Sequence, residues 1–274
     1  MPGLIIGVDI GGSKILSGII SPAGQILARK KEATLADHSA GIIVDQICES
    51  VMDLRRETGA KREDILGMAV GAPGPLDYEN GIIKDPPNLN WREFPLQEEL
   101  NKRLDVKPLL DNDANMAALG ELRFGGSKPC SHLIYMTVST GIGGGIIQGG
   151  KIYRGQTGGA GEFGRMIMTP AGEDLESLAS GTAMANAAEN LIQHGRGRGI
   201  MALCTKGKPV TAREIGAAAR QGDPKASQLI RQAGEYLGMA VANLVNIFNP
   251  ERVVLGGGAG LGLQDLLLQP IQDA

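Results

Sequence analysis

The sequence predicts an α/β protein made of two similar halves. Short apolar runs lead straight into glycine-rich turns, the arrangement recurs in the second half, and apolar residues elsewhere fall at helical spacing.

Leu4–Val8 is the first apolar run and reads as a buried strand. After Asp9-Ile-Gly-Gly-Ser-Lys14 the chain resumes with Ile15–Ile20, turns at Ser21-Pro-Ala-Gly24, and resumes again with Gln25–Ala28. This is a meander of three strands, not the strand–loop–helix of a P-loop. Ile43, Ile47, Val51 and Leu54 mark one face of a helix between Ser39 and Thr58, with Gly59 at its C-cap. Ile65–Val70 is the next strand, running into Gly71-Ala-Pro-Gly-Pro75. Another ends at Asp111-Asn-Asp-Ala-Asn115, and Ala117–Glu121 begins a helix. In the second half Leu133–Val138 is a strand, Ser139–Gly145 a glycine-rich turn, and Ile146–Tyr153 a further hairpin. Asp223-Pro224 supplies an N-cap and first helical residue for a long helix. Its predicted face is Leu229, Ala233, Leu237, Ala240, Leu244 and Ile247, and it stops before Pro250. Arg252–Leu255 is the last strand, leading into Gly256–Gly260, and Leu263–Gln269 is helix-like.

Composition excludes several classes. With 42% hydrophobic and 21% charged residues over 274 positions, the chain holds one large globular domain or two ordinary ones. A net charge of −3 and 3% aromatics argue against a nucleic-acid partner. Cys48, Cys130 and Cys204 are scattered, which fits a reducing cytosol and no disulfide framework. No signal peptide is readable and no stretch approaches the ~20 apolar residues of a membrane helix, so a cytoplasmic protein without a membrane partner is expected.

The 41 glycines exceed the average usage of about 7% and cluster at strand ends. Glycine-rich turns there present bare backbone N–H groups to a polyanion. Asp9 is placed to hold a hydrated Mg²⁺, and Ser13, Lys14, Ser139 and Thr140 add donors. The bland reading is a set of tight β-turns. The Asp111–Asn115 run also has two readings: hydrogen bonding to a polyhydroxylated ligand, with one carboxylate accepting a proton, or simple capping of the following helix. Gly159–Gly164 matches G-x-G-x-x-G but lacks the strand–turn–helix setting of a dinucleotide site.

Asp9-Ile-Gly-Gly-Ser-Lys14, Asp111-Asn-Asp-Ala-Asn115, Ser139-Thr-Gly-Ile-Gly-Gly-Gly145 and Gly161-Glu-Phe-Gly164 together resemble the signature motifs of the ROK family of sugar kinases, in the family's order. The resemblance implies an α/β fold of two ribonuclease-H-like (actin-like ATPase) lobes, residues 1–112 and 113–274, with a central interlobe cleft. It implies phosphate contacts from Asp9, Gly11, Gly12, Ser13 and Lys14 and from Ser139, Thr140, Gly141 and Gly143. Adenosine contacts are implied near Gly256, Gly257 and Gly258. Asp113 would be the general base; Gly74, Asn88, Asn112, Glu162 and Glu176 would line the sugar. The implied activity is ATP- and Mg²⁺-dependent phosphorylation of the 6-hydroxyl of glucose or a related hexose. Alternatives are N-acetylmannosamine, N-acetylglucosamine or fructose as acceptor, polyphosphate as donor, or a non-catalytic sugar sensor. Family repressors carry an N-terminal helix-turn-helix, for which no room is expected before Leu4. A homodimer or larger assembly is also implied.

Two departures stand out. Where the family commonly has histidine and a cysteine-bearing zinc loop, this chain has Arg165 and no cysteine between Cys130 and Cys204, so no zinc is expected. Arg165 either donates to a sugar hydroxyl or ties the shortened loop through Glu173 or Asp174. The family usually continues with further helical sequence, whereas this sequence stops at Ala274, as a short member would or as a longer chain given without its terminus would.

Overall fold

The computed structural model describes residues 3–86, 89–126 and 129–274. The chain forms two α/β units, residues 1–117 with 154–159, and residues 118–153 with 160–274.

In the first unit, β1 (Leu4–Ile10), β2 (Lys14–Ile20) and β3 (Ile26–Ala33) form the meander. α1 (Ala40–Thr58) follows, buries Ile43, Ile47, Val51 and Leu54, and ends at Gly59 in the left-handed region. β4 (Ile65–Ala72), a small hairpin of β5 (Leu76–Asp77) and β6 (Ile82–Ile83), α2 (Leu96–Leu104) and β7 (Pro108–Asn112) complete it, with α3 (Asp113–Phe124) starting at once. The sheet order is β3-β2-β1-β4-β7, and β4 and β7 run parallel to β1. β3 extends beyond the apolar run predicted at Gln25–Ala28, because Arg29–Ala33 continue the ladder with β2. An edge strand can carry charge on a solvated face, so its polar half leaves no hydrophobic signal.

The second unit repeats the order of the first four of these strands, without a counterpart of β7. β8 (Leu133–Val138), β9 (Ile142–Gln148), β10 (Lys151–Ile152) and β11 (Arg252–Gly256) lie in the order β10-β9-β8-β11, with β11 parallel to β8. The helices are α4 (Leu175–Ala179), α5 (Gly181–Gln193), α6 (Arg198–Leu203), α7 (Ala212–Arg220), α8 (Pro224–Phe248), α9 (Gly258–Gly262) and α10 (Gln264–Asp273). Asp223 caps α8 through the N–H groups of Lys225 and Ala226. The predicted α8 face is partly corrected: Ala233, Leu237, Ala240 and Leu244 are buried, but Ile247 is 68% exposed. Small residues extend the buried stripe instead. A Cβ on Gly238 would come within 2.6 Å of the Ile271 carbonyl oxygen, so its absence lets α10 lie close. Among the described residues no helix is long and apolar enough to cross a membrane.

The parallel β8–β11 pair is pinned where it begins. Glu251 Oε1 accepts the Ser131 N–H at 2.7 Å, the Ser131 hydroxyl at 3.0 Å and the His132 N–H at 2.9 Å. These donors, the Ser131 N–H foremost, hold the Glu251 carboxyl down from an ordinary 4.5 to about 2. A depressed carboxyl contributes stability that is present above its unfolded pKa and lost as pH falls through the folded one. The stability difference between wild type and Glu251→Gln should therefore be constant above the ordinary value of 4.5 and vanish as pH approaches about 2. Urea unfolding across that range measures it.

Candidate active site

In the first unit the site begins with the register of three parallel strands. Asp9 on β1 pairs with Gly71 on β4, and Gly71 pairs with Asp111 on β7. The rung before, Val8–Val70–Leu110, belongs to the hydrophobic core. Successive rungs alternate faces, so Asp9, Gly71 and Asp111 share the face opposite that core, at the carboxyl ends of the strands. Ligands of open parallel sheets gather at such ends. Asp9 meets solvent, yet the surrounding protein strips enough water to raise its carboxyl above the ordinary value; the Lys14 ammonium opposes this.

The β1–β2 turn is Gly11-Gly12-Ser13, closed by Gly11 N–H donating to the Lys14 carbonyl at 2.9 Å. Thr34 braces it, its hydroxyl donating to the Gly11 carbonyl at 2.6 Å and its N–H to that of Ser13 at 3.2 Å. Ser13 and Lys14 are exposed.

The three polar residues ending β7 take different roles. Asp111 is buried; its Oδ1 accepts the Asn112 N–H at 2.8 Å and Asn115 Nδ2 at 2.9 Å. Asn112 is the capping side chain, its Oδ1 accepting the Ala114 N–H at 2.9 Å and that of Asn115 at 3.3 Å. A Cβ placed on Gly74 would lie 3.8 Å from Asn112 Nδ2, so these two predicted sugar residues are neighbours. Asp113 is the exposed carboxylate at the start of α3, with its Oδ1 2.8 Å from the Ala114 nitrogen. Gly71 packs beneath it, since a Cβ there would approach the Asp113 Cα to 3.3 Å. Asn88 lies outside the described residues.

In the second unit the β8–β9 turn, Ser139-Thr-Gly141, is three residues long, like its counterpart in the first. It is suspended from two helices. The Ser139 carbonyl accepts the Gly181 N–H at 2.8 Å and the Thr140 carbonyl that of Thr182 at 3.2 Å, both from the first turn of α5. Glu176 on α4 accepts the buried Ile142 N–H through Oε2 at 2.8 Å. Gly256, at the end of β11, shares a rung with Thr137 and Gly143. Gly257 has φ +84°, where a side chain would overlap the Val138 carbonyl, and a Cβ on Gly258 would sit 3.8 Å from Ser139 Oγ. Within this unit the two predicted nucleotide clusters are thus adjacent.

The Gly159–Gly164 match serves packing. Gly161, at φ +96°, lies against the backbone of Gly144, and Gly144 in turn makes room for the Phe163 ring. A 3₁₀ turn over Phe163–Arg165 leaves Glu162 and Arg165 exposed. The following loop closes on itself: Ile167 bridges Asp174, Met168 N–H donates to the Glu173 carbonyl at 2.8 Å, and Leu175 N–H to that of Met166 at 2.9 Å. Arg165 Nη1 meets Asp174 Oδ2 at 3.3 Å. The Ser177 N–H foremost, with Arg165 contributing, keeps the Asp174 carboxyl below its ordinary range. Among the described residues no group of three His, Cys, Asp or Glu could hold a metal ion.

Gly71 and Thr34 were not legible as site residues: Gly71 acts by lacking a side chain, and Thr34 by donating its hydroxyl and N–H to carbonyls of the turn.

Glycine turns braced at strand ends, in two sheets that share the order of four strands, define the actin-like ATPase class of fold. The ROK family's sequence profile matches residues 5–274, and the chain belongs to that family. It is 36% identical to a glucokinase of Streptomyces coelicolor, covering 98% of this chain and 86% of that one. It is 33% identical to a glucokinase of Halalkalibacterium halodurans, over 97% and 83% respectively. A solved ROK family glucokinase from Streptomyces griseus, in complex with glucose and AMPPNP, superposes with a TM-score of 0.84 at 34% identity, covering 99% of this chain and 88% of that one.

Gly141 is bare because Glu176 needs the space: a Cβ there would overlap Glu176 Oε2. Gly141→Ala should push the carboxylate off the Ile142 N–H and leave that donor unsatisfied, at a cost of about 1–3 kcal/mol. Nucleotide affinity, read by isothermal titration with AMPPNP, is expected to fall while the far-UV spectrum stays native.

Proposed function

We propose that this chain is an ATP-dependent hexose kinase that phosphorylates the 6-hydroxyl of glucose or a close relative. The observation that carries the reading is Asp113, an exposed carboxylate on the α3 terminus, beside the Asp9–Gly71–Asp111 rung. The glucokinase relatives and the glucose- and AMPPNP-bound structure support the substrate pair.

Phosphoryl transfer asks an enzyme for position and charge neutralisation more than for covalent chemistry. The Asp113 carboxylate takes the proton of the 6-hydroxyl as that oxygen bonds to the γ-phosphorus and the bond to the β–γ bridging oxygen breaks, releasing ADP. Asn112, with its Oδ1 committed to the helix cap, offers Nδ2 to a sugar oxygen. By the family resemblance, Glu162, Arg165 and Oε1 of Glu176 would add sugar contacts and Gly74 would line the sugar. Backbone N–H groups of Gly11, Gly12, Ser13, Thr140, Gly141 and Gly143 meet the phosphates, with the Ser139 hydroxyl and the Lys14 ammonium. Gly256–Gly258 lie against the adenosine.

A hard oxygen ligand at a strand end suits hydrated Mg²⁺, and Asp9 is solvent-accessible there, so the donor fits. When bound, Mg²⁺ supplies charge neutralisation on the phosphates. Burial raises the Asp9 carboxyl, so its affinity for the ion should weaken on acidification at a higher pH than an ordinary carboxylate's would. A cytoplasmic homodimer or larger assembly accords with the family resemblance.

A coupled assay over glucose, mannose, fructose and the N-acetylhexosamines, each with ATP, GTP and polyphosphate, tests the function. Turnover of one hexose with ATP is expected; none with any pair would favour a sensor. Asp113→Asn should lower kcat by about 10²–10⁴-fold while glucose binding, followed by intrinsic fluorescence or calorimetry, survives. Near-native turnover in that variant would remove Asp113 from the base role.

A further inference from the structure

Arg154 lies just beyond β10, yet by its contacts the segment 154–159 belongs to the first unit. Its guanidinium grips Asp111 Oδ2 through Nε, at 3.1 Å, and Nη2. It also lies over the Tyr78 ring, 5.3 Å from the centroid, and the Tyr78 hydroxyl donates to the Gly158 carbonyl at 3.3 Å, further along the same strap.

The Asp111 side chain is only 3% exposed, and a carboxylate that enclosed is unfavourable without a partner charge. From β4 the register neighbour is Gly71, which brings no side chain. From α3 come the Asn115 amide and, on the same turn, the Asp113 carboxylate, which adds negative charge. Arg154 is the cation in contact, and its fork supplies two donors to one oxygen. The other oxygen is thereby left to fix the Asn112 N–H and the Asn115 side chain.

We propose that Arg154 is a positioning residue for phosphoryl transfer: by neutralising Asp111 it locks the Asn112–Asp113 turn in the orientation the proton acceptor needs. This rests on the reading of Asp113 as that acceptor. Without Arg154 the enclosed Asp111 carboxylate turns toward water, the first turn of α3 loses its anchor and Asp113 shifts with it.

The test compares wild type, Arg154→Met, Arg154→Lys and the pair Arg154→Met/Asp111→Asn by kcat and KM. Arg154→Met should lose on the order of 10²-fold in kcat, the scale of a roughly 1 Å misplacement, with KM for ATP little changed. Arg154→Lys, which restores the charge without the fork, should recover most of kcat. The double variant should exceed Arg154→Met several-fold, since it removes the uncompensated charge. A folded Arg154→Met with wild-type kcat overturns the proposal. So does a double variant no better than the single one, because Arg154 would then serve packing of the strap. If Arg154→Met does not fold, a folded and active double variant supports the proposal and an unfolded one overturns it. Absence of hexose turnover in wild type defeats the kinase reading itself, and the proposal with it; near-native turnover in Asp113→Asn defeats only the base assignment on which the proposal rests.

Discussion

A turn that presents bare backbone at a strand end still has to be held in place. Bare backbone is also the most mobile backbone, because glycine loses the most conformational freedom on ordering. The β8–β9 turn meets this conflict by hanging from α4 and α5, through the carbonyls of Ser139 and Thr140 and the Ile142 N–H that Glu176 accepts. α4 and α5 are in turn fixed by the core: Leu175, Ala179, Met184 and Ala188 are buried in one cluster with Leu237 and Leu244 of α8. Glu176 Oε2 therefore ties the turn to α4.

The two sheets share the order of four strands and a three-residue turn, but the bracing differs. In the first unit Thr34, at the end of the meander, takes both the Gly11 and Ser13 carbonyls. No helix terminus is needed there, because β3 continues far enough along β2 to deliver Thr34. In the second unit β10 is only two residues long and cannot do this, and the helices take over the task. The short β10 also frees the chain to leave as the strap that carries Arg154.

How much of this the sequence discloses follows the physics of each signal. Buried strands and α1 are legible because Leu4–Val8 and the Ile43–Leu54 stripe remove large apolar side chains from water at a fixed period. The glycine turns are legible because a strand that ends in several glycines has little other use for them. The α8 stripe is only half legible: Gly234 and Gly238 face α10 as much as any leucine faces the core, yet a hydrophobic pattern does not count a missing side chain. The division of labour among Asp111, Asn112 and Asp113 is not legible at all. Helix capping and ligand binding ask for the same short polar residues, and the roles separate only when Asn112 is seen to cap and Asp111 to be buried. Arg154 is the extreme case, since its partner lies 43 residues away in sequence.

Arg165 stands where the family resemblance implies a histidine, at the start of a loop that closes on itself. The loop is already closed by the Ile167–Asp174 bridge and the backbone bonds of Met168 and Leu175. The Arg165–Asp174 pair adds one contact at 3.3 Å from a side chain that is 71% exposed. Exposed ion pairs of this kind contribute about 0–1 kcal/mol, against several backbone hydrogen bonds of about 1 kcal/mol each. The loop therefore keeps its shape without Arg165, and Asp174 keeps its own task as the α4 cap through the Ser177 N–H. The loop is therefore held by its backbone, and the Arg165 guanidinium is tethered to Asp174 only lightly.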